Sequence, residues 1–267
     1  MSRISCREAI LRSGDKRRHK FFRHFGQIRK KLVSKIRIWK KDYPSCDKNN
    51  FAILHLAALD KKLCQEDPKL AYNINVNLSK KIISLGYKKK FKKIIFFSSI
   101  HVYGNYKRKI IENFKLKPKN IYGDTKKKAE KIFINNKKKL DITIFRISNV
   151  VAKPVKENDQ SKKLLINFLC KKIIKGDVLI NSNGFDTRDF ISVNYLLDCI
   201  DFFLNSNKTG VYNICSGQSL KINYLAKKIT SILKIRYKLN NKIILGNRKI
   251  DKINLKFSNK KIKKLVP

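Results

Sequence analysis

Beyond residue 50 the chain repeats one rhythm: a short continuous apolar run, then a longer stretch whose apolar positions recur every three or four residues. Phe51-Ala-Ile-Leu-His-Leu-Ala-Ala predicts a buried strand running into a small-residue turn. Asp67-Pro68 is a helix-start signal, and Leu78, Ile82 and Ile83 keep helical spacing through 67–85. Lys93-Ile-Ile-Phe-Phe-Ser-Ser predicts a second strand. Pro118 to Asn120 lead into a helix that holds Tyr122 and Lys126 and ends near Asn136, and Asp141-Ile-Thr-Ile-Phe-Arg predicts a third strand. Helices follow over 161–175, 193–205 and 219–234, with a strand at Val211–Ile214. Alternating strands and helices predict an α/β fold with a mostly parallel sheet covered on both faces. No internal repeat is visible.

The first 45 residues read differently. Of thirteen arginines, eight lie at or before Arg37, and hydrophobic periodicity is confined to short runs around Phe21–Phe25 and Leu32–Ile38. This segment is either helical around 20–38 or an unordered basic arm. The whole chain carries a net charge of +45, enough to raise nucleic-acid binding as an alternative. The lysines, however, are spread along all 267 residues among Ile and Asn. That distribution describes a compositional bias and a solvated surface, with no aromatic–basic interleaving, so no specific nucleic-acid partner is expected. No run of ~18 apolar residues marks a membrane span, and the N-terminus lacks the apolar core of a secretory signal. The six cysteines include no Cys-x-x-Cys, and none of the four histidines is paired at helical spacing. Neither a disulfide framework nor a metal site is expected, and a reducing, cytoplasmic compartment is.

The candidate chemistry lies in Tyr122-Gly-Asp-Thr-Lys126. A helix sets Tyr122 and Lys126 one turn apart on the same face. An ammonium there can draw a phenol down from its ordinary pKa of about 10 toward the operating range, and a phenol so tuned can take a proton from a sugar or alcohol hydroxyl. Composition alone should give about two Tyr-x-x-x-Lys matches, and Tyr103/Lys107 and Tyr224/Lys228 also fit. Context separates them. Ser98 and Ser99 end a strand, where ligands of open α/β sheets bind, and the loop to Tyr122 is long enough to fold back. Tyr103 sits in a turn, and Tyr224 lies on a late helix without such a partner. Ser99, Tyr122 and Lys126 therefore form the candidate catalytic set.

Several segments, in order, resemble the extended short-chain dehydrogenase/reductases, specifically the NAD-dependent epimerase/dehydratase group. They are His55-Leu-Ala-Ala, Asp67-Pro68 with Asn73-Ile-Asn-Val, Ser98-Ser-Ile-His-Val-Tyr-Gly, Tyr122–Lys126, Arg146-Ile-Ser-Asn149, Thr187-Arg-Asp-Phe-Ile-Ser-Val, Gly210-Val-Tyr-Asn-Ile and Arg248-Lys-Ile-Asp251. The resemblance implies a Rossmann-like sheet with a smaller C-terminal substrate-binding lobe. It implies NAD or NADP lying along His55, Ala57, Ala58, Asn75 and Lys126. It also implies a nucleotide-diphosphate sugar held by Asn149, Arg188 and Arg248, and a homodimer is a further expectation. Tyr122 would act as the base, Lys126 as its helper, and Ser99 would share the substrate oxygen. Ile100 and His101 stand where nucleotide-sugar dehydratases of the family carry Asp-Glu, which disfavours a 4,6-dehydratase. His55 reads as a packed strand residue, and His101 as structural.

The chain departs from the family at its front. The family opens with a strand and Gly-x-x-Gly-x-x-Gly, which admits a pyrophosphate to a helix N-terminus. Before His55 this sequence has only Gly14 and Gly26, in no such pattern. The usual first βαβ unit is therefore expected to be lacking. The expected division is an atypical basic segment 1–45, a partial dinucleotide-binding and catalytic core 46–150, and a substrate-binding lobe 151–267. Two functions stay open: an NAD(P)-dependent nucleotide-sugar epimerase or reductase, and a cofactor-deficient remnant of the same family.

Overall fold

The computed structural model describes residues 37–40, 51–89, 91, 93–153, 164–248 and 255–266. The central sheet orders its strands β1-β2-β3-β4-β8, where β1 is Arg37–Lys40, β2 Phe51–His55, β3 Lys93–Ser99, β4 Asp141–Ile147 and β8 Gly210–Ile214. The pairs β2–β3, β3–β4 and β4–β8 are parallel, as the βα alternation predicts. At the edge β1 runs antiparallel to β2, with Arg37 opposite Leu54 and Lys40 opposite Phe51. Residues 37 and 38, at the end of the helical alternative for 20–38, are thus in a strand. The rest of that segment lies outside the described residues.

Period-two alternation sorts the central strands between two cores. Ile53, Ile94, Phe96, Ile142 and Ile144 face one cluster with Ile82, Ala129 and Phe133 from the helices Leu78–Lys88 and Ile121–Asn136. Leu54, Ile95, Phe97, Phe145 and Ile147 face the other, with Leu196 and Phe203 from the helix Val193–Asn205. All seven residues of β3 are buried, so it is the central strand whose carboxyl end the molecule builds upon.

The helices before β3 depart from the single helix 67–85. A first helix α1, Lys61–Glu66, precedes it, capped by Asp60. Asp67 then caps α2, Pro68–Tyr72, with its side chain accepting from Leu70 N. A π-turn, Asn73–Asn77, follows and leads into α3, Leu78–Lys88. The wide turn buries Asn75 and aims its amide at two other elements, described below; periodicity alone does not register such an insertion. After β3 come a 3-10 turn, Ile100–Val102, and α4, Ile121–Asn136, with Asn120 capping through Gly123 N.

Beyond β4 lie β5, Asn149–Val151; α5, Leu165–Ile173; β6, Val178–Ser182; β7, Thr187–Ser192; and α6, Val193–Asn205. After β8 come β9, Ser219–Lys221; α7, Ile222–Tyr237; β10, Ile243–Arg248; and α8, Lys260–Lys263. Two small sheets, β5-β7-β9 and β10-β6, flank the main one. The helix expected over 161–175 is described from Leu165; residues 154–163 lie outside the described residues.

Candidate active site

The carboxyl end of β3 is closed by backbone contact with α4. A Cβ on Gly123 would stand 2.2 Å from the carbonyl oxygen of His101, so only glycine lets the first turn of α4 rest on the 3-10 turn. This contact sets Tyr122 over Ser99. The Ser99 hydroxyl accepts from His101 N at 3.3 Å and is close enough to the Tyr122 phenol to favour its ionised form. Lys126, one turn further, is 2% exposed. It donates through Nζ to the carbonyl of Phe97 at 2.7 Å and lies 5.0 Å from the Phe96 ring centroid and 5.9 Å from that of Tyr122. The structure therefore brings Ser99, Tyr122 and Lys126 together.

Their electrostatics are set first by burial. Withdrawal from water pushes the Tyr122 phenol up to about 12, with the Ser99 hydroxyl pulling the other way. The same burial brings the Lys126 ammonium down to about 8. Lys126 faces the Phe97 carbonyl, and in this arrangement burial of the phenol outweighs any help from its neighbours. His101 sets its ring edge-on to Tyr122, with centroids 5.8 Å apart. Partial withdrawal of that ring from water, then the charges of Lys61 and Arg188, hold it down to about 4, so it is neutral at pH 7.

Tyr103, the rival tyrosine in the turn, is a structural residue. Its hydroxyl accepts from Arg146 Nη1 at 2.7 Å and donates to Asn213 Oδ1 at 2.8 Å. Tyr224 and Lys228 form a surface pair on α7, the nitrogen 5.8 Å from the ring.

The residues expected along a dinucleotide behave less uniformly. Ala57 and Ala58 are half-buried just past β2. His55 is buried against Phe96 and Phe133, as a packed strand residue should be. Its Nε2 meets Ser79 Oγ at 3.2 Å, while the serine hydroxyl donates to Asn75 O. Burial, then the Lys126 charge, brings its pKa to about 3. Asn75 is fully engaged inside the protein. Its Oδ1 accepts from Leu59 N at 2.8 Å, and its Nδ2 donates to Thr125 Oγ1 at 2.9 Å. It ties the loop after β2 to the Tyr122–Lys126 turn.

A second site opens between β5, β7 and α5: a cavity of about 440 Å³ lined by Asn149, Arg188, Phe168, Phe190 and Leu164 among others. Asn149 donates to Asp189 O at 2.8 Å. Arg188 is exposed, with Nε 3.5 Å from Asp186 Oδ2. The adjacent Asp189 is buried and accepts from Ser216 N and Oγ and from Gly217 N. Asn149 and Arg188 thus share one cavity, although nearly forty residues of sequence separate them. The backbone of Arg248 ends β10, opposite Ser182 of β6; its side chain lies outside the described residues.

The sequence reading missed a buried polar network directly behind the corner. Glu130 accepts from Arg146 Nη2 at 2.7 Å and from Nε at 3.1 Å, and also from Ser98 Oγ. Arg146 Nη1 bonds Tyr103 Oη and Glu112 O. The available signal was spacing: Glu130 is one helical turn past Lys126. Gly123 was equally legible, as a glycine in the first turn of a helix where a close backbone approach is the usual reason.

A mostly parallel α/β sheet thus carries a serine, a tyrosine and a lysine side by side at the carboxyl end of its central strand. The NAD dependent epimerase/dehydratase family model matches residues 46–215, and the chain belongs to this family. It is 29% identical over 206 residues to the UDP-glucose 4-epimerase of Lactobacillus helveticus, covering 68% of this chain and 62% of that protein. It is 27% identical over 192 residues to the ADP-L-glycero-D-manno-heptose-6-epimerase of Brachyspira hyodysenteriae, covering 68% and 59%. The chain thus spans about three-fifths of the length of these curated relatives. Among solved structures, the fold matches the UDP-N-acetylglucosamine 4-epimerase from Methanobrevibacter ruminantium in complex with UDP-N-acetylmuramic acid. The TM-score is 0.70 at 24% identity, over 80% of this chain and 69% of that one. It also matches the UDP-glucuronic acid 4-epimerase from Bacillus cereus in complex with UDP-glucuronic acid and NAD. Here the TM-score is 0.69 at 20% identity, over 80% and 68%. No described helix is long and apolar enough to cross a membrane.

Proposed function

We propose that the chain is a nucleotide-sugar epimerase or reductase whose own catalytic groups are Ser99, Tyr122 and Lys126. The observation that carries this reading is the convergence of the three at the carboxyl end of β3, joined through Asn75 to the end of β2. Tyr122, as phenolate, removes the proton of a sugar hydroxyl. Ser99 bonds the same oxygen, and Lys126 supports the phenolate. Asn149 and Arg188 hold the substrate diphosphate in the cavity of about 440 Å³, with Arg248 as a further contact from β10, by charge-assisted bonds. A phenol pushed up to about 12 needs a positive neighbour to ionise at neutral pH.

Bound NAD or NADP would supply the hydride acceptor and, in its oxidised form, that positive charge. The residues fit its nicotinamide end, where the Lys126 nitrogen and the half-buried Ala57 and Ala58 lie at adjacent strand ends. Among the described residues the pyrophosphate end has no counterpart. The sequence before His55 lacks the glycine pattern, and the neighbour of β2 runs antiparallel, so its amino end faces the site. This favours a second reading, a cofactor-deficient remnant that keeps the catalytic side chains.

Calorimetric titration of the folded full chain with NAD and with NADP separates the two. Saturable heat supports the hydride-transfer reading. No heat at millimolar cofactor overturns it in favour of the remnant.

A further inference from the structure

Glu130 sits one turn beyond Lys126 on α4, and both side chains are buried. Its carboxylate is clamped from two strands: Arg146 of β4 donates through Nε and Nη2, and Ser98 of β3 donates through its hydroxyl. Arg146 in turn anchors the loop after β3 through Tyr103 Oη and Glu112 O. The other titratable groups facing Lys126 are His55 on β2, Cys64 on α1 and Tyr122 on its own helix. His55 is neutral in its apolar pocket. Burial pushes the Cys64 thiol up, so it stays protonated at neutral pH. Glu130 is therefore the anion left to act on Lys126 among the described residues, and its strength is moderated by the two donors that share its oxygens.

We propose that Glu130, clamped by Arg146 and Ser98, is a positioning residue that holds Lys126 as an ammonium beside Tyr122. The carboxylate stabilises the charge that burial opposes. Arg146 and Ser98 keep that stabilisation from becoming a direct ion pair, which would draw the lysine away from the base. This rests on the role given to Lys126 above, but it can be measured on the protein without cofactor or turnover.

The test is competitive acetylation of the full chain with acetic anhydride over a pH series, read by peptide mass spectrometry, with exposed Lys127 as the internal reference. The midpoint of the Lys126 rate against pH reports its protonation independently of access. In Glu130→Gln the midpoint should fall, so that the neutral amine at pH 7 rises by about three- to tenfold. In Arg146→Gln, which leaves the carboxylate uncompensated, the midpoint should rise. A purely structural clamp gives the opposite sign in Glu130→Gln, because loosening the core solvates Lys126 and moves its midpoint up. A rise or no change in that variant overturns the proposal. If Glu130→Gln does not fold, Ser98→Ala decides, read together with amide hydrogen exchange of α4: one donor fewer strengthens the carboxylate, so the Lys126 midpoint should rise while exchange stays unchanged. A Ser98→Ala midpoint that stays put, or that rises only with faster exchange, overturns the proposal. Tyr122 chemistry plays no part in any of these readouts, so failure here leaves the catalytic reading standing, and the reverse also holds.

Discussion

Lys126 itself is almost wholly buried, 2% exposed, whereas nearly half of the Arg188 side chain, 48%, faces solvent. The first region is built from β3, α4 and β4, within about fifty residues of chain, and is locked by a glycine contact and a buried ion pair. The second is assembled from β5, β7 and α5 around an open cavity with an apolar wall. The contrast suits the two roles proposed above. Shifting the proton affinity of a phenol or an amine requires a low-dielectric setting in which one charge acts strongly on another. Capturing a diphosphate requires cations that water and ligand can reach, since an arginine already satisfied inside the protein has no donors left to offer.

The largest effect should come from the closed region. Tyr122→Phe removes the proposed base while keeping the ring that packs against His101, so turnover should fall by roughly 10²–10⁴-fold with nucleotide affinity unchanged. Steady-state kinetics beside calorimetry with a nucleoside diphosphate check both halves. Undiminished turnover would remove Tyr122 from the mechanism, and a parallel loss of affinity would mean that the two regions are not separable.

The closed region was also the more legible in sequence, and for a physical reason. Its side chains come from strand ends and one helical turn, where periods of 2 and 3.6 fix which residues share a face. Ser99, Tyr122 and Lys126 can be grouped from the sequence, and the parallel arrangement of β2, β3, β4 and β8 follows from the alternation of elements. What stayed hidden depends on neighbours that periodicity does not supply. The π-turn at Asn73–Asn77 exists so that Asn75 can reach both Leu59 and Thr125. The Glu130–Arg146 pair joins α4 to β4 through the core. Burial of the phenol, which sets its pKa, is likewise a sum over distant residues. In the open region the resemblance already set Asn149 and Arg188 at one diphosphate, but the phenylalanine-lined cavity was not legible, because β5 and β9, three residues each, are too short to carry a periodic signal.

The second prediction uses pH to break the contrast. Burial lowers Lys126 from 10.5 in the unfolded chain to about 8 in the folded one. Between those values the unfolded state binds more protons, so this group makes stability rise with pH over that window. Below pH 8 its full penalty applies, on the order of 3 kcal/mol. Lys126→Met removes the penalty but orphans the Phe97 carbonyl, which costs about 1–2 kcal/mol. The variant should therefore be more stable than the parent at pH 7 by about 1–2 kcal/mol and lose that advantage as pH approaches 10. Urea unfolding at the two pH values measures it. A variant less stable than the parent at both would mean that the ammonium is better solvated than its 2% exposure implies. The exposed Arg188, substituted by Gln, should show no such pH-dependent change in stability.

The smallest effect belongs to the open region itself. Among the described residues Arg188 pairs with Asp186 at 3.5 Å, and nearly half of its side chain is exposed. Arg188→Gln should leave stability within about 0.5 kcal/mol of the parent and weaken a nucleoside diphosphate such as UDP by about tenfold, the loss of one charge-assisted contact at a partly solvated site. Because that contact is screened, the difference between parent and variant should shrink as salt is raised, whereas the turnover defect of Tyr122→Phe should not change with salt. Isothermal titration at low and high ionic strength reads this directly. An unchanged UDP affinity would place the diphosphate elsewhere. A loss that persists at high salt would mean that Arg188 is drawn into a closed, desolvated contact when ligand arrives, and the distinction between a sealed proton-transfer corner and an open anion cavity would then hold only for the unliganded protein.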